Sequence, residues 1–156
     1  MIIKSIYTIF LAILIVLFVG LGIDAFYPAP QYPEYPTELD YKISPESETT
    51  EQEKIRMDYE QNQKKYEQES KAYSQNVSII SLLASIIILI ISLTLLNKIE
   101  IIADGILLGG VLTIMYSVIR GVMTENSQFR FLIVTIGIVI AFILGYIKFI
   151  KPKKLN

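Results

Sequence analysis

The sequence predicts an all-α membrane protein. It has four transmembrane helices, and a long extracytoplasmic helix continues into the second span and packs against a Pro/Tyr-rich extended segment. Three observations carry this expectation. Four apolar stretches each reach the roughly 17–25 residues needed to cross a bilayer. Of the 15 acidic residues in this 156-residue chain, 12 are gathered between Asp24 and Glu69. Within that polar stretch Pro and Tyr recur at regular spacings, in a chain with 6 Pro and 10 Tyr but no Cys, His or Trp.

The composition also excludes chemistry. With 53% hydrophobic residues and a mean hydropathy of +0.50, the chain is more apolar than an ordinary soluble domain. No thiol means no disulfide, no Cys nucleophile and no disulfide relay. No imidazole means no His general base, haem His or usual zinc site. Neither a glycine-rich phosphate loop nor a nucleophile elbow occurs. No enzymatic activity, cofactor or nucleic-acid partner is expected.

The first span (residues 1–26) is built on Ile6 to Ile23, where Thr8 is the main interruption. Lys4 before an apolar run also suits a cleavable signal peptide. The run exceeds the usual 7–15-residue signal core, however, and Ile23-Asp24-Ala25 puts a bulky residue at the cleavage position. The span is therefore read as uncleaved. The second span (77–97) lies in a charge-free stretch between Lys71 and Lys98, the third (101–120) contains Asp104, and a short loop (121–130) leads to the fourth (131–149). Backbone polar groups in hydrocarbon must be satisfied within the segment, so each is a helix. All are apolar on every face, unlike the one-sided helices of soluble proteins.

Orientation follows from the basic residues near span ends. One side holds Lys4, Lys98, Lys148 and the basic tail (150–156) with Lys151, Lys153 and Lys154; the other holds Arg120 and Arg130 in its short loop, and the long loop, with 6 basic and 12 acidic residues, counts weakly. This places the chain in the cell membrane with both termini cytoplasmic and residues 27–76 extracytoplasmic. Tyr27, Phe129, Phe131, Tyr146 and Phe149 fall near span ends, where an aromatic belt belongs.

The polar stretch divides in two. Residues 27–45 contain Pro28, Pro30, Pro33 and Pro36 with Tyr27, Tyr32, Tyr35 and Tyr41. Such a density of Pro excludes helix and central strand and favours polyproline II. Ser44-Pro45-Glu46 then reads as a helix start, with Thr50 and Glu53 as a second capping box. No Gly or Pro occurs from Glu46 until Gly105, and Glu60–Lys64 and Glu67–Lys71 are favourable i,i+4 pairs. One helix therefore covers 46–76 and runs on into the second span.

That helix is polar except for a row: Tyr59, Tyr66 and Tyr73 recur every seven residues, with Ile55 before and Ile80 after. Three partners suit the row. Pairing with a second copy is weakened by Asn62, Glu69 and Asn76, which fill the positions where a coiled coil wants apolar side chains. A different protein is the second. The third is the chain's own extended segment. Measured from the membrane ends, Pro30, Pro33 and Pro36 sit at about 12, 22 and 31 Å. Tyr73, Tyr66 and Tyr59 sit at about 5, 15 and 26 Å. The prolines thus fall between the tyrosines, ring against ring. Residues 27–75 in this way resemble the polyproline-II–α packing of the pancreatic-polypeptide fold, a likeness of packing that implies no hormone activity. Without such packing the stretch is an acidic loop with scattered tyrosines.

Inside the membrane, Asp104 has two readings. One is an ion pair at the inner interface with Lys4, Lys98 or Lys148; the other is a proton or cation site. Gly105 and Gly109, beside Gly110, form a small-xxx-small face for close helix approach, with Gly20, Gly22, Gly137 and Gly145 as counterparts. Asn76-Val77-Ser78 matches a glycosylation acceptor, but it abuts the bilayer and is discounted. Abundant Ile with little Arg and Ala suits an AT-rich genome, and the GIDAFYPAP stretch (22–30) resembles segments of uncharacterised small four-span membrane proteins of reduced-genome bacteria. That resemblance brings no function with it.

The leading expectation is a non-enzymatic integral membrane protein. Its partners are the lipid bilayer and, through the outer helix, a docked protein, an envelope complex or a second copy. The alternative is a small oligomeric transporter or channel that uses Asp104 with Ser81, Ser85 and Thr113. Multidrug-type small transporters carry a Glu in the first span, and none is present here.

Overall fold

In the computed structural model of this chain, residues 2–37, 50–95 and 99–150 are described. The expected helix start at Ser44-Pro45-Glu46, Tyr41, Lys98 and the basic residues 151–154 lie outside them. The described elements are helical: α1 (Ile2–Phe26), α2 (Thr50–Leu95), α3 (Glu100–Val122), α4 (Ser127–Gly145) and a terminal π-helical turn (Tyr146–Ile150). Four helices are long and apolar enough to cross a membrane, the fourth counted through Lys148. The 23 residues of α3 reach about 35 Å at 1.5 Å per residue, against about 30 Å of hydrocarbon. The chain separates into two compact units, one of Met1–Pro28 with Ser74–Asn156 and one of Ala29–Tyr73.

In the first, apolar unit, α3 is the element that the other helices share. It meets α1 through glycines: a Cβ on Gly105 would come 2.7 Å from Leu11 Cδ2, and one on Gly109 2.9 Å from Ile15 Cβ. Only glycine allows so close an approach. It meets α2 at Gly110, where a Cβ would lie 2.6 Å from Leu89 Cδ2. It meets α4 where Ile114 and Val118 lie against Gly137. Leu89, Ile114 and Leu144 form a buried apolar cluster, flanked by Leu93, Leu107, Val111, Val118 and Ile140. Much of the remaining apolar surface points outward, as in Phe18, Phe131 and Phe142, each three-quarters exposed or more. That inside-out distribution suits a chain whose solvent is lipid.

Sequence spacing located the apolar runs but not the helix ends. The helix α4 starts at Ser127, ahead of the apolar run at 131, because the Asn126 side chain accepts from the amides of Gln128 (3.0 Å) and Phe129 (3.1 Å). The expected ten-residue loop therefore shrinks to Met123–Asn126. Of the proposed counterpart glycines, Gly137 makes ordinary contact, at 3.6 Å, while a Cβ on Gly20, Gly22 or Gly145 would meet nothing within 4 Å. The face of α1 that meets α3 offers Leu11 and Ile15 to the α3 glycines instead.

The second, polar unit holds the extended segment from Ala29 and the part of α2 up to Tyr73. Along this part of α2, Gln52, Ile55, Tyr59, Gln63, Tyr66 and Ser70 are half-buried and Tyr73 is buried, which is one stripe at three- and four-residue spacing. Asn62, Glu69 and Asn76 are exposed. Ile80, expected to extend the row, is 41% exposed. A seven-residue repeat drifts about 20° per heptad on a straight helix, and three heptads carry Ile80 off the stripe.

Candidate functional site

Two places concentrate polar side chains in specific geometry. The first lies in the polar unit. The Tyr32 ring meets Tyr66 edge to face with centroids 5.0 Å apart, and Tyr35 meets Tyr59 in the same way at 5.4 Å. The pairing is antiparallel: three residues of the segment advance as far as seven residues of helix. Gln63 Nε2 donates to the Tyr32 hydroxyl at 3.2 Å. The hydrogen bond with Tyr32 is also the main reason the Tyr59 phenol is held above its ordinary value of 10.0, with partial desolvation and the neighbouring phenols Tyr32 and Tyr35 adding to it. Tyr32 thus meets Gln63 and Tyr66 directly and lies near enough to Tyr59 to favour its protonated form.

Pro30, Pro33 and Pro36 are half-buried. Sequence spacing singled out those prolines against Tyr59, Tyr66 and Tyr73 and left Tyr32 and Tyr35 aside. Ala29, Gln31, Tyr32, Glu34, Tyr35 and Thr37 are exposed, so the prolines are the more covered edge of the segment, and Tyr32 and Tyr35 add ring contacts that the spacing did not report. The stripe covers one side of this helix. On the other sides Asp58, Glu60, Lys64, Lys65, Glu67 and Glu69 are exposed, and Lys65 Nζ lies 3.8 Å from Glu69 Oε1.

The second place is in the apolar unit, at the end where α1 and α3 begin. Lys4, Ser5, Thr8 and Ile9 of α1 and Glu100, Ile101 and Asp104 of α3 line a recess of about 370 Å³. Asp104 Oδ1 accepts from Lys148 Nζ, which the π-helical turn after α4 brings to it. Of the three lysines named from the sequence, Lys148 pairs with Asp104, Lys4 lines the same recess, and Lys98 lies outside the described residues. Thr8 Oγ1 donates to the Lys4 carbonyl at 2.9 Å.

The hydroxyls singled out as channel-lining lie elsewhere. Ser81, Ser85 and Thr113 have no exposed surface. Each donates within its own helix: Ser81 to the Val77 carbonyl, Ser85 to Leu82 and Thr113 to Gly109. Ser78 and Ser92 complete a small-residue stripe on α2 that seats α3. Ser78 Oγ donates to the Ser117 carbonyl at 2.8 Å, Ser117 Oγ to the Ser78 carbonyl at 2.7 Å, and Ser92 Oγ to the Ala103 carbonyl at 2.7 Å. With no water to take their place, such hydroxyl-to-carbonyl bonds hold neighbouring helices at about 0.6–2 kcal/mol each. The one signal of this role in the sequence is that serines at 78, 85 and 92 repeat every seven residues. Among the described residues, every buried side-chain polar atom has a partner. The side chain of Asn76, in the discounted glycosylation match, donates to the Tyr27 hydroxyl at 2.8 Å.

Compared with protein-family models, curated proteins and solved structures, the chain matches none of them.

Proposed function

We propose that this chain is a non-enzymatic integral membrane protein that displays residues 27–76 outside the cytoplasm as a docking unit for a protein of the cell envelope. The polyproline-II–α hairpin is the docking element, and both termini are cytoplasmic. The observation that carries this reading is the division of labour on one helix. From Tyr59 to Tyr66 a single stripe meets Tyr32 and Tyr35, and the exposed sides of the helix carry alternating charge. A segment held by ring pairs keeps that charged surface ordered before a partner arrives, which lowers the entropy cost of binding. Another protein is a better occupant than a second copy, because Asn62, Glu69 and Asn76 give a symmetric helix pair no apolar seam. The transport alternative needs polar groups along a path, whereas Ser81, Ser85 and Thr113 are fully buried and committed to carbonyls.

The test is purification of the full chain in mild detergent with quantitative mass spectrometry, beside a Tyr32→Ala/Tyr35→Ala variant. The expected result is a partner in stoichiometric amount with the wild type and depleted with the variant at equal membrane level. A clean, partner-free monomer from both contradicts docking. Topology is read by labelling intact cells with an impermeant maleimide: Gln61→Cys reacts and Asn156→Cys does not. The reverse pattern overturns the orientation.

A further inference from the structure

We propose that the recess between the first turns of α1 and α3 holds the headgroup of a phospholipid bearing both a phosphate and a primary ammonium, the phosphatidylethanolamine type. The recess has two walls of unlike charge. Lys4 and Ser5 stand on α1, and Glu100 and Asp104 on α3. A phosphate is met by the Lys4 ammonium and the Ser5 hydroxyl, and an ammonium by the Glu100 carboxylate together with the Asp104 carboxylate, which it shares with Lys148. A headgroup carrying both charges matches both walls at once, whereas a purely anionic or purely cationic ligand leaves one wall opposed.

Position argues for a lipid rather than a soluble zwitterion. Both walls are the opening turns of helices long and apolar enough to span a bilayer, which sets the recess at headgroup depth. Its inner limit is the contact of Leu11 with Gly105, where the helices close together, so a headgroup stops there and its acyl chains run down the exposed apolar flank of α1. Size agrees. Phosphoethanolamine has about eight non-hydrogen atoms, roughly the bulk of eight waters or about 240 Å³, within the recess of about 370 Å³. Lys148 holds Asp104 from a third element, and that fixes the carboxylate on the wall instead of letting it turn out to water.

Native mass spectrometry of the full chain, titrated with phosphatidylethanolamine, phosphatidylcholine and phosphatidylglycerol of identical acyl chains, tests the assignment. Phosphatidylcholine has no N–H to give the carboxylates, and phosphatidylglycerol has no cation. The expected result is tighter retention of phosphatidylethanolamine by about tenfold, the scale of one charge-assisted hydrogen bond. That preference should collapse in Glu100→Gln and persist in Glu60→Gln, while Lys4→Gln, which loses a phosphate contact common to all three lipids, should weaken the retention of each. Equal retention of the three lipids overturns the proposal, and so does preference for phosphatidylglycerol, which would mark simple attraction of anionic lipid to lysines. A preference that survives Glu100→Gln places the ammonium elsewhere and also overturns it. The wild-type lipid series decides the matter even if a variant folds poorly. Soluble phosphoethanolamine competing at the lipid's own concentration would show that the ligand is not a lipid.

Discussion

Tyr32 joins the extended segment to the helix through Tyr66 and Gln63, and its removal can be worked out term by term. Its ring is 57% exposed, so a little under half of its area is covered. Taking about 200 Å² for a Tyr side chain, the covered part is near 85 Å², or about 2 kcal/mol at 25 cal/mol per Å². The edge-to-face pair with Tyr66 adds about 1 kcal/mol. The hydroxyl, bonded to Gln63 in solvent-accessible surroundings, adds about 0.5 kcal/mol, the low end of the range. Tyr32→Ala thus costs about 3.5 kcal/mol, and Tyr32→Phe, which keeps the ring, about 0.5 kcal/mol. The assay is native-state cleavage after Glu34 by a Glu-specific protease, whose rate follows the detached population when reclosing is fast. Tyr32→Phe should speed cleavage about twofold. Tyr32→Ala should speed it a hundredfold or more, up to the rate of the open chain. The double-mutant cycle of Tyr32→Ala with Tyr66→Ala should return a coupling of about 0.5–1.5 kcal/mol. Equal rates for wild type and Tyr32→Ala, or no coupling, would refute the ring-pair account of this unit.

Three further outcomes follow from the same structure. Gly109→Ala and Gly137→Ala gain the same helix propensity, but only the first drives a Cβ to 2.9 Å from Ile15 Cβ, an atom fixed to its backbone. Gly109→Ala should be the less stable of the two in detergent by about 1–3 kcal/mol, the usual cost of overpacking. The hydrogen bond with Tyr32 raises the Tyr59 pKa in the folded unit, so the folded state keeps its proton where the unfolded chain has begun to lose it. That contribution is complete below about pH 10 and disappears as pH rises through the raised value, so Glu34 cleavage should accelerate in alkali. Tyr32→Phe should return the Tyr59 titration toward its ordinary range. Finally, Asp104→Asn or Lys148→Met alone leaves one charge of the pair without its partner, so each single substitution should lower thermal stability more than the double substitution does.

What the sequence makes legible, and what it hides, differ for physical reasons. The four apolar helices could be read at once because hydrocarbon tolerates few alternatives. The start of α4 could not, because hydropathy marks where apolar residues begin and not where Asn126 caps a helix. Gly105 and Gly109 announced close packing, but their partners Leu11 and Ile15 depend on the azimuth of α1, which no linear spacing reports. The serines at 81 and 85 read as pore-lining from polarity alone. A hydroxyl in an apolar bundle can equally turn onto its own helix, and only coordinates separate the two. The seven-residue tyrosine row was plain in the sequence, and the prolines matched to it are half-buried, whereas the ring pairs of Tyr32 and Tyr35 depend on how far each side chain reaches from an exposed position, which no spacing reports.

The central claim is that the charged surface of the polar helix docks a protein, and in-cell photo-crosslinking tests it most directly. A crosslinking side chain placed at Asp58 or Lys65, both exposed, should give one adduct of defined mass on illumination of intact cells. At Tyr66, turned toward Tyr32, it should give none to another protein. No adduct from either exposed position, with the protein at its normal level in the membrane, would contradict the claim.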